Sequence, residues 1–398
     1  MLSTDRPIHK SVPILATVLI GFTVVLLILG GATTSGRAGM ADPVWPTEPW
    51  YLIENSQVFK EPRIGFLLEH THRAAGWIVG ALASVLAVTA WSVGGKITSR
   101  LMPLVSVVAL LLCYGWLHGQ MMVAQKRLNE TGEMFWPWPT ILTTVGCAVL
   151  LLASTVVHLF QKQRGAWVRG LVTVVLMGVM IQGLLGGLRV LLDRQLGLRE
   201  TLGIELSQWH GMFAQVIFSL MLLIPWVAGA RTTGDALLGY DRSRLAWLGF
   251  ALVGTVYLQL IWAVWVRHNP TGMAQRLHFL TAFVVAGLLV TLVVRILGST
   301  DGKRLLGRAA YHLIGILIVQ VALGVEAWLG KFAAMGPEAM IAPTERKITT
   351  WVVVLRTAHQ FIGAYLFGSS VVLLYRLWRK PAVSQVSSGL VRDIGSTI

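Results

Sequence analysis

The sequence predicts an all-α integral membrane protein of about ten transmembrane helices. Three observations carry that reading. Of 398 residues, 55% are hydrophobic and only 13% are charged, against roughly 25% charged in soluble globular proteins. Mean hydropathy is +0.67. The apolar residues are also gathered into runs long enough to cross a bilayer, whose hydrocarbon core of roughly 30 Å takes about 20 helical residues. A soluble enzyme, a nucleic-acid module and a disordered chain are excluded together.

Ten runs qualify in order: Val12–Ala32, His70–Trp91, Leu101–Ala124, Ile141–Phe160, Val168–Leu191, Trp209–Val227, Leu245–Val266, His278–Leu297, Ala310–Leu329 and Trp351–Leu377. No clean small-residue cleavage site follows the first run. Its Gly30-Gly31 pair reads as a helix-packing notch, so the run counts as a span and not a leader.

The balance of 33 Lys+Arg against 18 Asp+Glu gives +15. In so apolar a chain the excess marks retained cytoplasmic loops, and no nucleic-acid partner is expected. Ten spans place both termini on one side. With the N-terminus inside, 18 basic residues lie inside and 15 outside, the latter among most of the acids. The longest loops, Thr33–Glu69, Arg194–Gln208 and Lys331–Thr350, then fall outside. The expectation is a cell (inner) membrane protein with both termini cytoplasmic and residues 381–398 as a cytoplasmic tail. Cys113 and Cys147 sit inside apolar runs and form no C-x-x-C, so the sequence holds no thiol-redox or zinc motif.

Four of the ten histidines, His72, His210, His278 and His359, stand at the start of spans running from outside to inside. All four are expected at similar depth near the outer face. An internal repeat supports this. LLEHTHRAAGWIVGALASVLAV around His72 answers GMAQRLHFLTAFVVAGLLVTLVV around His278, and SQWHGMFAQVIFSLMLL around His210 answers RTAHQFIGAYLFGSSVVLL around His359. The preceding helices share Gln-x-x-Leu-Gly at Gln182 and Gln320. Two halves follow, residues 1–230 and 245–380. His72 and His210 are 138 positions apart, His278 and His359 only 81. The excess fits two inserted spans, about 101–160, which preserve the parity of the helices. His118 in that insert reads as a packed or lipid-edge histidine.

A histidine inside an apolar span is costly unless paired, hydrogen-bonded or coordinating. Two histidines on facing helices can supply both axial ligands of a haem set in a helix bundle. The bland alternative is four helix-start histidines bonded to loop carbonyls. Glu69 and His72, three apart, share a helix face, while Gln275 stands in the Glu69 place of the repeat. One half therefore has a carboxylate able to move protons or orient water, and the other an uncharged amide. Glu69 could equally be an interfacial partner of Arg73 or His70. A di-iron reading fails for want of further carboxylates. Arg73, Arg189, Arg267 and Arg356 lie near outer ends, where they either snorkel to the interface or pair with anionic groups such as haem propionates. Gln182 and Gln320 either join helices or touch a cofactor. Glu326 has no evident partner, and Trp45, Trp50, Trp136 and Trp138 read as interfacial anchors.

The ordered set of Glu-x-x-His-Arg at Glu69–Arg73, GGATTSGRAGMADPVWPT at Gly30–Thr47, QGLLGGLRV at Gln182–Val190, WVRH at Trp265–His268 and the four histidines resembles the haem A synthase family. Those integral membrane enzymes convert haem O to haem A for cytochrome oxidase. The resemblance spans both halves apart from the insert. It implies two pseudo-symmetric four-helix haem-binding bundles plus a two-helix insertion in the first half. His72 and His210, with Arg73, would hold the substrate haem O, and His278 and His359 would ligate the iron of a haem b cofactor. Glu69 matches the family's catalytically implicated glutamate. The implied oxidoreductase reaction takes a methyl group of haem O to a formyl group by successive hydroxylations. The implied partners are haem O synthase, the cytochrome oxidase assembly machinery, an unidentified electron donor and, as an open alternative, a second copy of the chain.

Three departures stand out. The outer loop lacks the cysteine pair some members carry. Thr34 stands where many members have an arginine. The insert makes ten spans in place of eight. Rival readings are a di-haem b-type electron carrier without monooxygenase activity and a transporter. One-sided Glu69 argues against the first, and the absence of matched Gly/Pro-broken spans against the second.

Overall fold

The computed structural model describes residues 9–39, 41–42, 63–93, 97–160, 165–195, 201–229, 239–268, 271–332 and 348–378. Among these residues the chain is all helical, and ten helices are long and apolar enough to cross a membrane. In order they are α1 (Ser11–Ser35), α2 (Ile64–Ser92), α3 (Leu101–Thr131), α4 (Trp138–Phe160), α5 (Ala166–Gln195), α6 (Thr201–Ala228), α7 (Gly239–His268), α8 (Gly272–Leu297), α9 (Thr300–Phe332) and α10 (Thr350–Trp378). The chain is a multi-pass helical membrane protein. Trp45, Trp50 and the tail 381–398 lie outside the described residues.

All ten expected spans are present, but most helices outrun them. Residues 201–208, expected in an outer loop, form the first turns of α6, while Arg194 and Gln195 end α5. Lys331 and Phe332 likewise belong to α9. The histidines therefore stand two turns inside their helices and not at the starts. Hydropathy locates the hydrocarbon core, whereas a helix continues into the headgroup region wherever its backbone can hydrogen-bond internally. Polar stretches such as EHTHR and ELSQ are legible as helix only from that second requirement.

Local chemistry ends several helices. Gly132 takes φ 76° after α3, the left-handed conformation that closes a helix C-terminus without a Cβ clash. Thr271 caps α8, its hydroxyl accepting from the Ala274 amide at 3.2 Å. After α1 the chain turns back through Arg37 at φ 53°. The Ala38 amide there returns to the Thr33 carbonyl at 2.8 Å. That turn lays Ala38, Ala41 and Asp42 against α2.

Helix neighbours close two rings. In the first half α1 packs on α2, α2 on α5, α5 on α6 and α6 on α1. In the second, α7 packs on α8, α8 on α9, α9 on α10 and α10 on α7. Each ring has its own buried core: Leu19, Leu86, Leu176 and Ile224 mark the first, and Leu252, Leu289, Leu313 and Leu373 the second. The seam between them is α1 and α6 against α10, with α6 also touching α7. Gly368 on α10 admits Leu222 of α6 at that seam, where any side chain would collide. Helices α3 and α4 pack on each other and flank the first ring through α2 and α5.

The C-terminus of α2 is tied down at the end remote from the four repeat histidines. Two arginines satisfy the last carbonyls of α2, which a helix leaves without internal partners. Arg169 donates to Ala90 O at 2.9 Å and Val93 O at 3.0 Å, and Arg100 donates to Trp91 O at 2.7 Å. Trp91 is fully buried, and its indole N–H reaches the Thr173 hydroxyl at 3.1 Å.

Candidate functional site

The second-half histidines meet. His278 on α8 and His359 on α10 have ring centres 6.3 Å apart and planes at 79°. A first-row metal–imidazole bond is about 2 Å, so two imidazoles facing one ion stand with centres about 6 Å apart. The Nδ1 of His359 lies 3.2 Å from the Gln320 carbonyl of α9. An Nδ1–H held by a carbonyl selects the tautomer whose Nε2 lone pair is free for a metal. His278 is flanked by the Gln259 amide of α7, whose nitrogen lies 3.0 Å from Nδ1 and 3.4 Å from Nε2. The Gln259 oxygen has no partner. A half-turn of that amide would let the oxygen accept from Nδ1–H.

The first-half pair is held by different contacts. His72 on α2 lies with Nδ1 3.1 Å from the Leu26 carbonyl of α1. His210 on α6 lies within electrostatic reach of His72 and of Arg189. Its Nδ1 is buried without a partner, while its backbone carbonyl accepts from Gln182 of α5 at 2.9 Å. Gln182 and Gln320, the repeat pair, thus each bridge to the helix that carries a histidine. They do so differently: the first through its side chain and the second through its carbonyl.

Glycines make room for the rings. A Cβ on Gly30 of α1 would stand 2.7 Å from Cε1 of His72, and one on Gly324 of α9 would stand 2.9 Å from Cε1 of His359. At Gly186, the repeat counterpart of Gly324, the distance to His210 is 3.5 Å. The Gly30-Gly31 notch is therefore used twice, since Gly31 seats Thr357 and Gln360 of α10. All four histidines are partly buried among the helices.

Glu69 is not open. One oxygen accepts from Arg73 Nη2 at 2.7 Å and the other from the Asp42 amide at 2.8 Å. Arg73 also donates to the Asp42 carbonyl at 2.7 Å, and its Nη1 lies 3.5 Å from Asp42 Oδ2. His70 completes the cluster, with Nδ1 3.0 Å from the same Oδ2. Glu69, His70 and Asp42 are all buried. Of the two partners the sequence offered Glu69, the structure gives Arg73, while His70 turns to Asp42.

The arginines of the second half have a different setting. Arg267 donates to the Gln360 side chain, and Arg356 donates to Gly330 O at 3.1 Å. Neither has a carboxylate partner among the described residues, and Arg356 Nε has no partner at all. Arg189 lies against Gly39 in the α1–α2 connection. Glu326 is exposed. His118 packs edge-on against Trp77 at 4.5 Å, as expected of a packed histidine.

Several contributors escaped the sequence reading. Asp42, the hub of the Glu69 cluster, lies within the Gly30–Thr47 stretch, where nothing local singles it out. Gln259 was legible as a lone amide in the apolar run YLQLIWAV. The Leu26 and Gln320 carbonyls have no side-chain signal. Among the described residues no group of three or more His, Cys, Asp or Glu gathers as for a bare metal ion. A cavity of about 430 Å³ opens at the α8–α9 turn, lined by Leu297, Ser299, Lys303 and Arg304, and contains none of the histidines. No family model matches the chain, and no curated protein or solved structure matches it.

Proposed function

We propose that the chain is a haem A synthase: an oxidoreductase that oxidises a methyl group of haem O to a formyl group. The reading takes the two helix rings as pseudo-symmetric haem-binding bundles, with α3 and α4 as an insertion in the first. The observation that carries it is the arrangement of His278 and His359. Their rings lie 6.3 Å apart on facing helices, and a neighbouring carbonyl orients one of them. Gly324 leaves no Cβ where the His359 ring lies. Arg267 and Arg356 add cations without carboxylate partners among the described residues, which suits the acidic side groups of a haem. These residues fit haem b, which would supply one-electron chemistry at iron.

In the first half, His72 and His210 would hold the substrate haem O, with Arg73 beside them. Leu26 O sets the His72 ring, and Gln182 fixes the backbone at His210. Glu69 would handle protons or water once a bound substrate draws Arg73 toward its own carboxylates. Until then Arg73 and the Asp42 amide hold Glu69 oriented. The topology that suits this reading is N-in and C-in, with the histidines toward the outer face of a cell membrane.

The test is co-expression with a haem O synthase, followed by chromatography and mass spectrometry of extracted haems. A formyl-bearing haem is expected. Haem b and haem O alone, with nothing oxidised, would overturn the reading. They would instead favour a di-haem b-type electron carrier, for which the engagement of both Glu69 oxygens speaks.

A further inference from the structure

We propose that Cys113 and Cys147 form a redox modification site: a dithiol at membrane depth that hydroperoxides convert to a disulfide joining α3 to α4. They are the only two cysteines of the chain. Spacing gives no hint of pairing, yet their Sγ atoms lie 3.7 Å apart, each on one of the two inserted helices and each half-buried. The helices are pinned at this level by Thr144, whose hydroxyl donates to the Cys113 carbonyl at 3.3 Å.

The surroundings define the oxidant. Among the described residues no Lys, Arg or His is hydrogen-bonded to either sulfur. With no such neighbour to activate them, the thiols react slowly and rest in the reduced form. Both sit near the middle of spans, Cys113 within Leu101–Leu128 and Cys147 within Trp138–Phe160. Charged aqueous disulfides do not reach that depth, whereas an uncharged hydroperoxide does. One thiol reduces ROOH, becoming a sulfenic acid as ROH leaves. The second thiol then displaces the sulfenic oxygen as water, and the S–S bond forms. Two thiols and ROOH thus yield one disulfide, ROH and water.

The link has a mechanical path to the rest of the molecule. Tyr114, next to Cys113, donates to the Met180 carbonyl of α5 at 3.2 Å and lies over Gly183. The same stretch of α5 carries Gln182 and Gly186, which face His210.

The full chain in liposomes is treated with hydrogen peroxide or cumene hydroperoxide, and free thiols are counted by maleimide labelling and mass spectrometry. Both thiols are expected to disappear together. Their peptides should be linked, and a phosphine should restore them. In Cys113→Ser and Cys147→Ser, the remaining thiol should stop at a sulfenic acid that dimedone traps. Faster reaction with cumene hydroperoxide assigns a lipid-phase source, and faster reaction with hydrogen peroxide an aqueous one. Thiols that stay free under both oxidants, or that oxidise without a link, overturn the proposal. Haem content is not read, so failure of the haem reading leaves this result intact.

Discussion

The two histidine pairs sit at matching places in their helix rings, but the charges beside them are arranged in opposite ways. In the first half Arg73 is neutralised by Glu69 and Asp42 within one buried cluster. In the second, Arg267 and Arg356 face amide and carbonyl oxygens, with no carboxylate partner among the described residues. A closed ion cluster supplies its own counter-charge and can rearrange internally, whereas unmatched cations favour an anionic ligand from outside. On the proposed reading, the half with unmatched cations suits a resident group and the half with the closed cluster suits exchange with a substrate.

The sharpest way to break this comparison is to remove one histidine from each half. His278→Ala should abolish the haem b absorbance of the purified protein, while His72→Ala should leave it in place; equal loss from both would end the division of labour. Next in size is the carboxylate. Glu69→Gln should lower haem O turnover by about 10²–10⁴-fold, the usual worth of a positioned acid or base, with haem b content unchanged. Full turnover in that variant would remove Glu69 from the chemistry.

Arg73→Ala probes the closed cluster directly. It strands two buried carboxylates, and breaking a buried pair costs about 3–5 kcal/mol, to be read from denaturant unfolding in detergent. Arg356→Gln forfeits one hydrogen bond, about 1 kcal/mol, in the same measurement. Comparable losses from the two would contradict the contrast in charge. The smallest expected effect lies at the repeat glycines. Gly324→Ala must displace the His359 ring, and overpacking of that kind costs about 1–3 kcal/mol. Gly186→Ala meets His210 only at ordinary contact distance and should be neutral or stabilising by up to about 1 kcal/mol. Thermal midpoints of the two variants should therefore move apart.

Much of the site was legible because its signals are local. Helix-borne histidines, the Gln-x-x-Leu-Gly pair and the Glu69/Gln275 difference each appear within a few residues of sequence. Asp42 was not legible, because its role depends on the turn at Arg37 that carries it back onto α2. The helix ends were misplaced at α6 because ELSQ is polar. Its backbone is nonetheless satisfied within the helix, and hydropathy does not register that.

The sequence alone determined that the chain crosses a membrane ten times and repeats a pair of histidines, since burial in lipid imprints both on composition and order. Tertiary structure alone decided which groups meet. It set Glu69 against Arg73 and the Asp42 amide, closed the helices into two rings, and brought Cys113 to Cys147 across 34 positions. The physical reason is range. Apolarity and period are carried by neighbours in sequence, whereas an ion pair, a ring against a glycine or a thiol contact is settled only when distant helices pack.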